Sequence, residues 1–444
     1  MAAHSSKKFG HALKADFLIE PKWRNLNHGS FGTYPRQIQQ ELRRFQDASE
    51  ARADAFIRYD SIRSLDASRE AIARLLNAPV EACVFVQNAT TGINTVLRNL
   101  VFHPGDKIVY FDTIYGACER TISYITETTP AQSVKVKCMY PVSDKGLVDE
   151  FKRVVKEQQS QGFNVRIAVF DTVVSMPGVR VPFEALTEAC RELGVLSCID
   201  AAHGVGHIEL NLAKLDPDFF VSNCHKWLYT PRGCAVFYVP VRNQHLIRST
   251  VPTSHGFQPR PKPGELPPNN PLPPNTKSPF VANFEFMGTI DIAPYLCVPA
   301  AIRYRESLGG EKAILQYCHD LSRQGGDLVA KILGTKVLEN EDGTLGNCCL
   351  RNVKLPLDVA EVQKIAGTDS VGSPVIVWMT ATMTKEYDTF MALMFYDDAW
   401  WVRFSSQVYL ELSDYEWAAK VLIELCARVK KGEFLEPSKE VAKL

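Results

Sequence analysis

The stretch DAAHGVGHIELNLAKLDPDFFVSNCHKWLYTPRG, residues 200–233, contains an acid and a lysine that each follow a short apolar strand. Asp200 comes directly after residues 195–199, and Lys226 comes after residues 219–222. In a parallel sheet the carboxyl ends of neighbouring strands meet at one edge, and ligands bind there. The stretch therefore predicts an α/β fold with a site at which the acid and the lysine act together.

A lysine beside a buried acid is typical of a Schiff-base cofactor site. Burial next to His225 and Trp227 lowers the pKa of the Lys226 amine and supplies the neutral form that attacks an aldehyde. Pyridoxal phosphate is the aldehyde cofactor that fits, because Asp200 would keep its ring nitrogen protonated. The alternative is a helix-capping Asp200 and a solvated surface lysine. The flanking Asn-Cys-His-Lys-Trp sequence and the Pro-Arg-Gly turn argue against a solvated lysine.

The composition is that of an ordinary globular protein. The 444 residues are 45% hydrophobic and 23% charged, which is enough for two domains. The 50 basic and 50 acidic residues give a formal net charge of +0, so no global field attracts nucleic acid or a membrane surface. The 12 cysteines include no CxxC pair, which favours reduced thiols in the cytoplasm.

The two ends of the chain bear on its location. The N-terminal residues contain no apolar run typical of a signal peptide or a membrane span. The C-terminal residues Ala442, Lys443 and Leu444 differ by one hydroxyl from the peroxisomal address Ser-Lys-Leu. We expect a cytoplasmic protein, with peroxisomal import as the alternative.

From Cys83 onward, short apolar segments alternate with helical segments, which predicts a largely parallel seven-stranded sheet with helices on both faces. Two helices precede the sheet. We expect an N-terminal arm and helix at residues 1–53, a large cofactor-binding domain at 54–300 and a smaller α/β domain at 301–444. The Pro-rich run at 252–282 is expected to be a loop or a lid. The predicted strands are residues 84–86, 107–111, 134–139, 166–170, 195–199, 219–221 and 234–239.

Polar residues follow several other strands. Ala89 and Thr90 open a helix, where hydroxyls and N–H groups form a phosphate site, although ordinary capping explains the threonine equally well. Tyr115 is placed to stack on a planar ring, unless it simply packs. The loop DTVVSMPG, residues 171–178, ends a further strand. Arg403 lies in an apolar strand and needs an anion, which could be a structural carboxylate or the carboxylate of a substrate.

Two other motifs are incomplete. Residues 204–206 begin a dinucleotide fingerprint, but Glu209 occupies the position of its third glycine. His203 and His207 have the spacing of zinc ligands, but no glutamate follows His203 and glycines interrupt the segment. We therefore expect neither a nicotinamide cofactor nor a metal.

Three motifs in this order, DAAHGVGH at 200–207, SNCHKW at 222–227 and RFSSQVY at 403–409, resemble the class V, cysteine-desulfurase-like, pyridoxal-phosphate enzymes. The fold implied is fold type I of aspartate aminotransferase. More narrowly, the chain resembles the isopenicillin-N-epimerase-like branch, which includes hercynylcysteine sulfoxide lyases of ergothioneine synthesis and loline-type alkaloid cyclases. The resemblance extends from NHGSFG at 27–32 to Arg403, and it is more specific for the cofactor than for the substrate.

The resemblance implies a role for each matching residue. Lys226 would form the imine and shuttle protons, and Asp200 would hold the pyridine nitrogen. Arg403 would bind the α-carboxylate of the substrate. In a homodimer with composite sites, Gly288 and Thr289 would come from the second subunit. The implied phosphate contacts are Ala89, Thr90, Asn223 and His225. The rest of the cofactor would be contacted by Tyr115, which would also be catalytic, and by Ser175 and His203. The implied substrate contacts are Asn27, His28, Gly29 and Ser30.

The implied reaction begins with removal of the α-proton of an amino-acid-derived substrate by Lys226 and passes through a quinonoid. Carbon–sulfur β-elimination from a cysteine-sulfoxide conjugate is the first choice. An alkaloid-forming cyclase or epimerase shares the early steps, and a non-catalytic binding protein is the alternative of a different class. Persulfide chemistry would need a mobile nucleophilic cysteine, whereas Cys138 and Cys224 are both interpreted as packing residues.

Overall fold

A seven-stranded sheet forms the centre of the protein. The computed structural model describes residues 9–253, 256–257, 259, 262–264 and 276–436. The strands are β1 (Cys83–Val86), β2 (Asp106–Phe111), β3 (Gln132–Val136), β4 (Asn164–Asp171), β5 (Leu196–Asp200), β6 (Phe219–Asn223) and β7 (Ala235–Tyr238). Their order across the sheet is β1-β7-β6-β5-β4-β2-β3. Strands β2 to β6 are parallel, and β7 is antiparallel to both of its neighbours.

The predicted fold class is confirmed, with a difference at the end of one strand. The sequence predicts β3 as far as residue 139, but β3 stops at Val136, which is the last residue to pair with β2. Beyond it, the Cys138 N–H donates to the Asp112 carboxylate at 3.1 Å. The chain leaves the sheet because a side-chain acceptor in the preceding loop replaces the neighbouring strand.

Alternate residues of each strand pack into two separate hydrophobic clusters. Phe85 belongs to the larger cluster, whereas Val84 and Val86 belong to the smaller one. This period of two is that of a sheet buried on both faces. The helices of seven or more residues are α1 (Arg36–Ala51), α2 (Ser61–Leu76), α3 (Ala89–Asn99), α4 (Gly116–Thr128), α5 (Asp144–Ser160), α6 (Phe183–Leu193), α7 (Pro279–Glu285), α8 (Val298–Ser307), α9 (Gly310–Leu333), α10 (Val359–Ala366), α11 (Gly372–Glu386) and α12 (Leu412–Lys430).

A second sheet lies in the C-terminal part of the chain. Its antiparallel strands β8 (Leu350–Lys354), β9 (Ala392–Phe395) and β10 (Trp400–Ser405) have the order β8-β10-β9. The N-terminal arm packs against this part of the protein, because the Gly10 N–H donates to the Val408 carbonyl and the Ser405 N–H donates to the Leu26 carbonyl. The first and last parts of the chain therefore form one packed unit.

Some predictions concern residues that the structure does not describe. Most of the Pro-rich run at 252–282 and the C-terminal tripeptide at 442–444 lie outside the described residues. The domain boundaries at 53 and 300 remain predictions. Within the described ranges, no helix is long and apolar enough to cross a membrane, and no group of acidic, histidine and cysteine side chains could hold a metal ion.

Candidate active site

Lys226 lies in a single helical turn, Cys224–Trp227, that follows β6 directly. Burial lowers the pKa of its amine from the ordinary 10.5 to about 8, the nearby Asp200 charge opposes this shift, and the Arg403 charge adds to it. The amine nitrogen is 3.1 Å from the Nε2 atom of His203. Lys226 is therefore held next to an acid, a neutral ring and a guanidinium, with a sizeable neutral fraction near pH 7.

Asp200 ends β5, and its carboxylate is oriented by two hydrogen bonds. One oxygen accepts from the Ala202 N–H at 2.9 Å, and the other accepts from the Cys118 thiol at 3.1 Å. The residue is buried, with 2% of its surface exposed. A fixed, buried carboxylate of this kind can hold a protonated ring nitrogen.

Asp171 is a second buried acid at this edge of the sheet, and no role follows for it from the sequence. It ends β4 and pairs with Asp200 across the two strands. Burial, and then the Asp200 charge, raise the pKa of Asp171 well above its ordinary value. Both acids directly follow an apolar strand in the sequence, which is the signal that could have found Asp171.

The start of α3 lies beside β6. Asn223 accepts a hydrogen bond from the Ala89 N–H at 2.9 Å, so that amide is already used within the protein. The Asn88 side chain caps α3 by accepting from the Thr91 N–H at 2.8 Å. Nδ1 of His225 bonds to the Cys234 carbonyl at 2.9 Å, so Nε2 is the ring nitrogen that points away from this carbonyl.

Arg403, on β10, is a fully buried arginine that contacts no acidic side chain among the residues that the structure describes. Its guanidinium donates to the Ser175 carbonyl at 2.7 Å, to the Asn27 side chain at 2.8 Å and to the Ser30 hydroxyl at 3.0 Å. Its Nε is buried without a partner. Burial lowers the pKa of Arg403 to about 10. These neutral partners orient the guanidinium without neutralising it, so it is suited to bind an anion.

Residues 27–30, the segment predicted to contact the substrate, do not all point the same way. Asn27 and Ser30 contact Arg403, whereas the buried His28 faces the protein. Nε2 of His28 bonds to the Lys226 carbonyl at 2.6 Å, and its Nδ1 bonds to the Tyr409 hydroxyl at 2.9 Å. The Gly29 N–H donates to a serine hydroxyl at the end of β10. His28 and Gly29 thus hold the backbone around the site.

Two predicted cofactor contacts, Gly288 and Thr289, lie in a surface pocket whose lining does not include Lys226. Gly288 and Thr289 line a surface pocket with residues of α1 and α2. Tyr115 comes directly before α4, and 51% of its surface is exposed. A single chain therefore does not bring Gly288 and Thr289 to Lys226, and the cofactor contact of Tyr115 stays a prediction.

Comparison with known proteins places the chain in a family. Residues 35–367 match the model of the class V aminotransferases. The chain belongs to the class V aminotransferase family. L-cysteine desulfhydrase-like protein lolT1 of Epichloe uncinata is 38% identical over 96% of this chain and 97% of its own length. Hercynylcysteine sulfoxide lyase of Schizosaccharomyces pombe is 30% identical over 94% and 98%. These similarities confirm the predicted branch.

The fold also agrees with a solved structure. A C-DES variant with glycine covalently linked to its PLP cofactor has a TM-score of 0.70 and 15% identity, over 92% of this chain and 97% of that one. Class V aminotransferases are pyridoxal 5'-phosphate enzymes, and this chain is one of them. Its residues fit the cofactor, because a lysine of lowered pKa faces a fixed carboxylate while the start of a helix lies beside the same strand.

In this class V enzyme, we expect the Lys226 amine to react with aldehydes at a much lower pH than an ordinary lysine. A pKa of about 8 gives a neutral fraction at pH 7 that is roughly 10²-fold larger than for a lysine of pKa 10.5. Reductive trapping of a small aldehyde on the cofactor-free protein, followed by peptide mass spectrometry, measures this. The exposed Lys145 is an internal control. Labelling of Lys226 that rises only above pH 10 would contradict the expectation.

Gly178 leaves the space that the Arg403 side chain occupies. A Cβ atom at Gly178 would lie 2.6 Å from Cδ and 2.9 Å from Cγ of Arg403. We therefore expect Gly178→Ala to displace the guanidinium and raise the KM by about tenfold, with cofactor colour retained. Gly372→Ala is a matched control, because its Cβ would lie 2.8 Å from the Phe395 ring, in the C-terminal part of the chain. Equal KM values for the two variants would show that Arg403 does not bind the substrate.

Proposed function

We propose that this enzyme is a lyase that breaks a carbon–sulfur bond of an amino-acid-derived substrate, with a cysteine-sulfoxide conjugate as the first candidate. One observation carries the proposal: the buried guanidinium of Arg403, which bonds only to neutral groups, lies in the same site as the low-pKa amine of Lys226. An α-carboxylate bound to the first group would bring the substrate amine and α-carbon towards the second.

Different side chains have different roles in the proposed reaction. Bound pyridoxal phosphate supplies the electron sink that stabilises negative charge at the α-carbon. Arg403 orients the carboxylate, and Lys226 accepts the α-proton as a neutral amine. Asp200 holds a negative charge at the end of β5, and its two hydrogen bonds keep the carboxylate in one orientation. The raised pKa of Asp171 disfavours a second negative charge there.

The bond that breaks in the proposed reaction lies between the β-carbon and sulfur. Its electron pair leaves with the sulfur, so a sulfoxide releases a sulfenic acid after it gains a proton. The remaining three-carbon fragment takes up water and leaves as pyruvate and ammonia. Similarity to hercynylcysteine sulfoxide lyase of Schizosaccharomyces pombe along nearly the whole chain supports this choice and suggests a role in ergothioneine synthesis.

The cysteines give no support to a persulfide mechanism. Of the 12 cysteines, all of which are described, 11 are buried and only Cys138 is partly exposed. Burial raises the pKa of the Cys138 thiol to about 12, so almost none of it is the reactive thiolate at neutral pH. Sulfur is therefore expected to leave with the substrate fragment and not on the protein.

A direct assay distinguishes the candidate reactions. The holoenzyme is incubated with an S-substituted cysteine sulfoxide, and pyruvate, ammonia and the sulfur product are measured. The matched substrate without the sulfoxide oxygen is expected to react more slowly, because a thiolate is a poorer leaving group than a sulfenate. Intact sulfoxide, together with conversion of another amino acid into a cyclic amine, would instead favour an alkaloid-forming cyclase. The similarity to lolT1 is the reason to include that substrate class.

We further propose that the active unit is a homodimer with composite sites. Gly288 and Thr289 line a pocket apart from Lys226, so a second copy could bring these two residues to the site. Light scattering measures the mass of the holoenzyme. Mixed dimers of Lys226→Ala with Thr289→Asp test the sharing of residues, because one of the two sites in each mixed dimer would carry neither change. No activity above that of the separate variants would contradict composite sites.

A further inference from the structure

Both ring nitrogens of the buried His203 are engaged by neighbouring side chains. Its Nδ1 lies 3.1 Å from the indole nitrogen of Trp227, and its Nε2 lies 3.1 Å from the amine of Lys226. An indole N–H can only donate a hydrogen bond, so Nδ1 of His203 must accept and carries no proton. A neutral imidazole has one ring proton, which must then be on Nε2. The ring therefore points its N–H at Lys226.

The indole itself is held in place by several contacts. The His207 ring stacks on Trp227 with a centroid separation of 4.0 Å and an interplanar angle of 7°. Nδ1 of His207 bonds to the His203 carbonyl at 3.0 Å, and its Nε2 accepts from the Cys349 N–H at 2.9 Å. Arg305 donates to the Trp227 carbonyl at 2.7 Å. Because these contacts hold the indole in place, its N–H points towards His203.

Both histidines are suited to remain neutral. Burial lowers the pKa of His203 well below its ordinary value, and the Lys226 charge lowers it further. Burial likewise lowers the pKa of His207 well below its ordinary value, although its bond to the His203 carbonyl opposes this shift. A neutral His203 with its proton on Nε2 can donate only to a neutral Lys226 amine, because an ammonium group has no lone pair to accept.

We propose that Trp227 is a positioning residue that fixes His203 in the neutral Nε2–H tautomer. The ring thereby presents a hydrogen-bond donor at the amine of Lys226, or at an acceptor atom of the cofactor that takes its place. Two consequences follow. The amine is favoured in its neutral form, and His203 has no available lone pair with which to remove a proton. Proton transfer at the α-carbon is then left to Lys226, whichever bond the enzyme breaks afterwards.

The first test needs no variant. In full-length cofactor-free protein labelled with ¹⁵N in histidine, we expect the His203 signals to show an unprotonated Nδ1 and a protonated Nε2 throughout pH 5–9. A His203→Gln variant assigns these signals by their disappearance. A protonated Nδ1, or a ring that titrates near its ordinary pKa, would overturn the proposal. This result is independent of the lyase activity, so the two proposals can fail separately.

The second test removes only the indole N–H. Trp227→Phe keeps an aromatic ring against His207, and we expect a mixture of His203 tautomers. The apparent pKa of Lys226 should rise by roughly half a unit to one unit, about the worth of one hydrogen bond. Aldehyde trapping measures this pKa. The charged and titratable groups facing Lys226, namely Asp200, Asp171, His225 and Arg403, are unchanged in this variant.

Trp401→Phe is the matched control. Trp401 is also buried, and its indole N–H donates to the Tyr396 carbonyl at 3.0 Å. Trp401→Phe removes the hydrogen bond to Tyr396 and no contact of His203, so the His203 tautomer and the Lys226 pKa should stay as in the wild type. If Trp227→Phe folds and leaves both quantities unchanged, or if Trp401→Phe shifts them equally, Trp227 has no positioning role.

Discussion

Lys226→Ala is expected to give a protein that lacks the absorbance of the covalent lysine–cofactor link, holds pyridoxal phosphate only non-covalently and has lost at least about 10³-fold of its turnover. The reason is that one amine is assigned both the covalent link to the cofactor and the transfer of the α-proton. Absorbance spectra of the purified protein and a steady-state assay measure the two effects. Lys145→Ala, which changes an exposed lysine, should behave like the wild type.

The same variant should not unfold more easily in its cofactor-free form. The folded pKa of Lys226, about 8, lies below its ordinary value of 10.5. The folded state is therefore penalised for carrying the ammonium, and this penalty is absent above pH 10.5, grows as the pH falls and is complete below about pH 8. Alanine removes the penalty, so the Tm at pH 7 should be unchanged or higher. Retained absorbance of the covalent lysine–cofactor link, or a strongly lowered Tm, would contradict the assigned role.

Arg403→Met is expected to weaken substrate binding by about 10²- to 10³-fold while cofactor colour and stability survive. A charged hydrogen-bonded pair is worth about 2–5 kcal/mol when it is truncated. The arginine bonds to neutral acceptors only, so its removal relieves a buried charge and loses a few neutral hydrogen bonds. The two effects on the free energy of unfolding should cancel to within about 1 kcal/mol. Substrate titration and thermal unfolding measure them separately.

Arg351→Met is the matched control for this variant. Arg351 is buried on the neighbouring strand β8 and pairs with the carboxylates of Glu339 and Asp327, at 2.6 Å and 3.3 Å. Its removal takes a charged partner from the partly buried Glu339 carboxylate, which keeps its bonds to the Leu345 and Gly346 N–H groups, and should cost about 1–3 kcal/mol of stability. Its effect on the KM should be smaller than that of Arg403→Met. The reverse pattern would mean that Arg403 is structural.

The strands and the residues that follow them were predictable because both depend on local patterns. Short apolar runs set the strands, and Asp200 and Lys226 were found because Asp200 directly follows one run and Lys226 follows the next within a few residues. The early end of β3 was not predictable, since it depends on a hydrogen bond between Cys138 and a side chain of another loop. The pattern of apolar residues along a strand does not show that such a side-chain acceptor is nearby.

The inner contacts of the site needed the three-dimensional structure. His28 is in the predicted motif, yet its nitrogens bond to the Lys226 carbonyl and to Tyr409, which is 381 positions away in the chain. Trp227 could be recognised as a large apolar neighbour of Lys226, but its donor role depends on where the ring of His203 lies. Asp171 was visible at a strand end, whereas its raised pKa depends on burial and on a second acid across the sheet. Each of these properties comes from long-range pairing.

The packing of the N-terminal arm on the C-terminal sheet has a consequence for synthesis on the ribosome. Asn27 can contact Arg403 only after nearly the whole chain has been translated. The Gly10 N–H likewise has its acceptor only once Val408 has been added. At about 5–20 residues per second, the arm remains without these partners for roughly 20–80 s. The strands that carry Asp200 and Lys226 emerge well before then. A nascent chain thus carries its lysine and its acid long before it gains the arginine that would hold an amino acid.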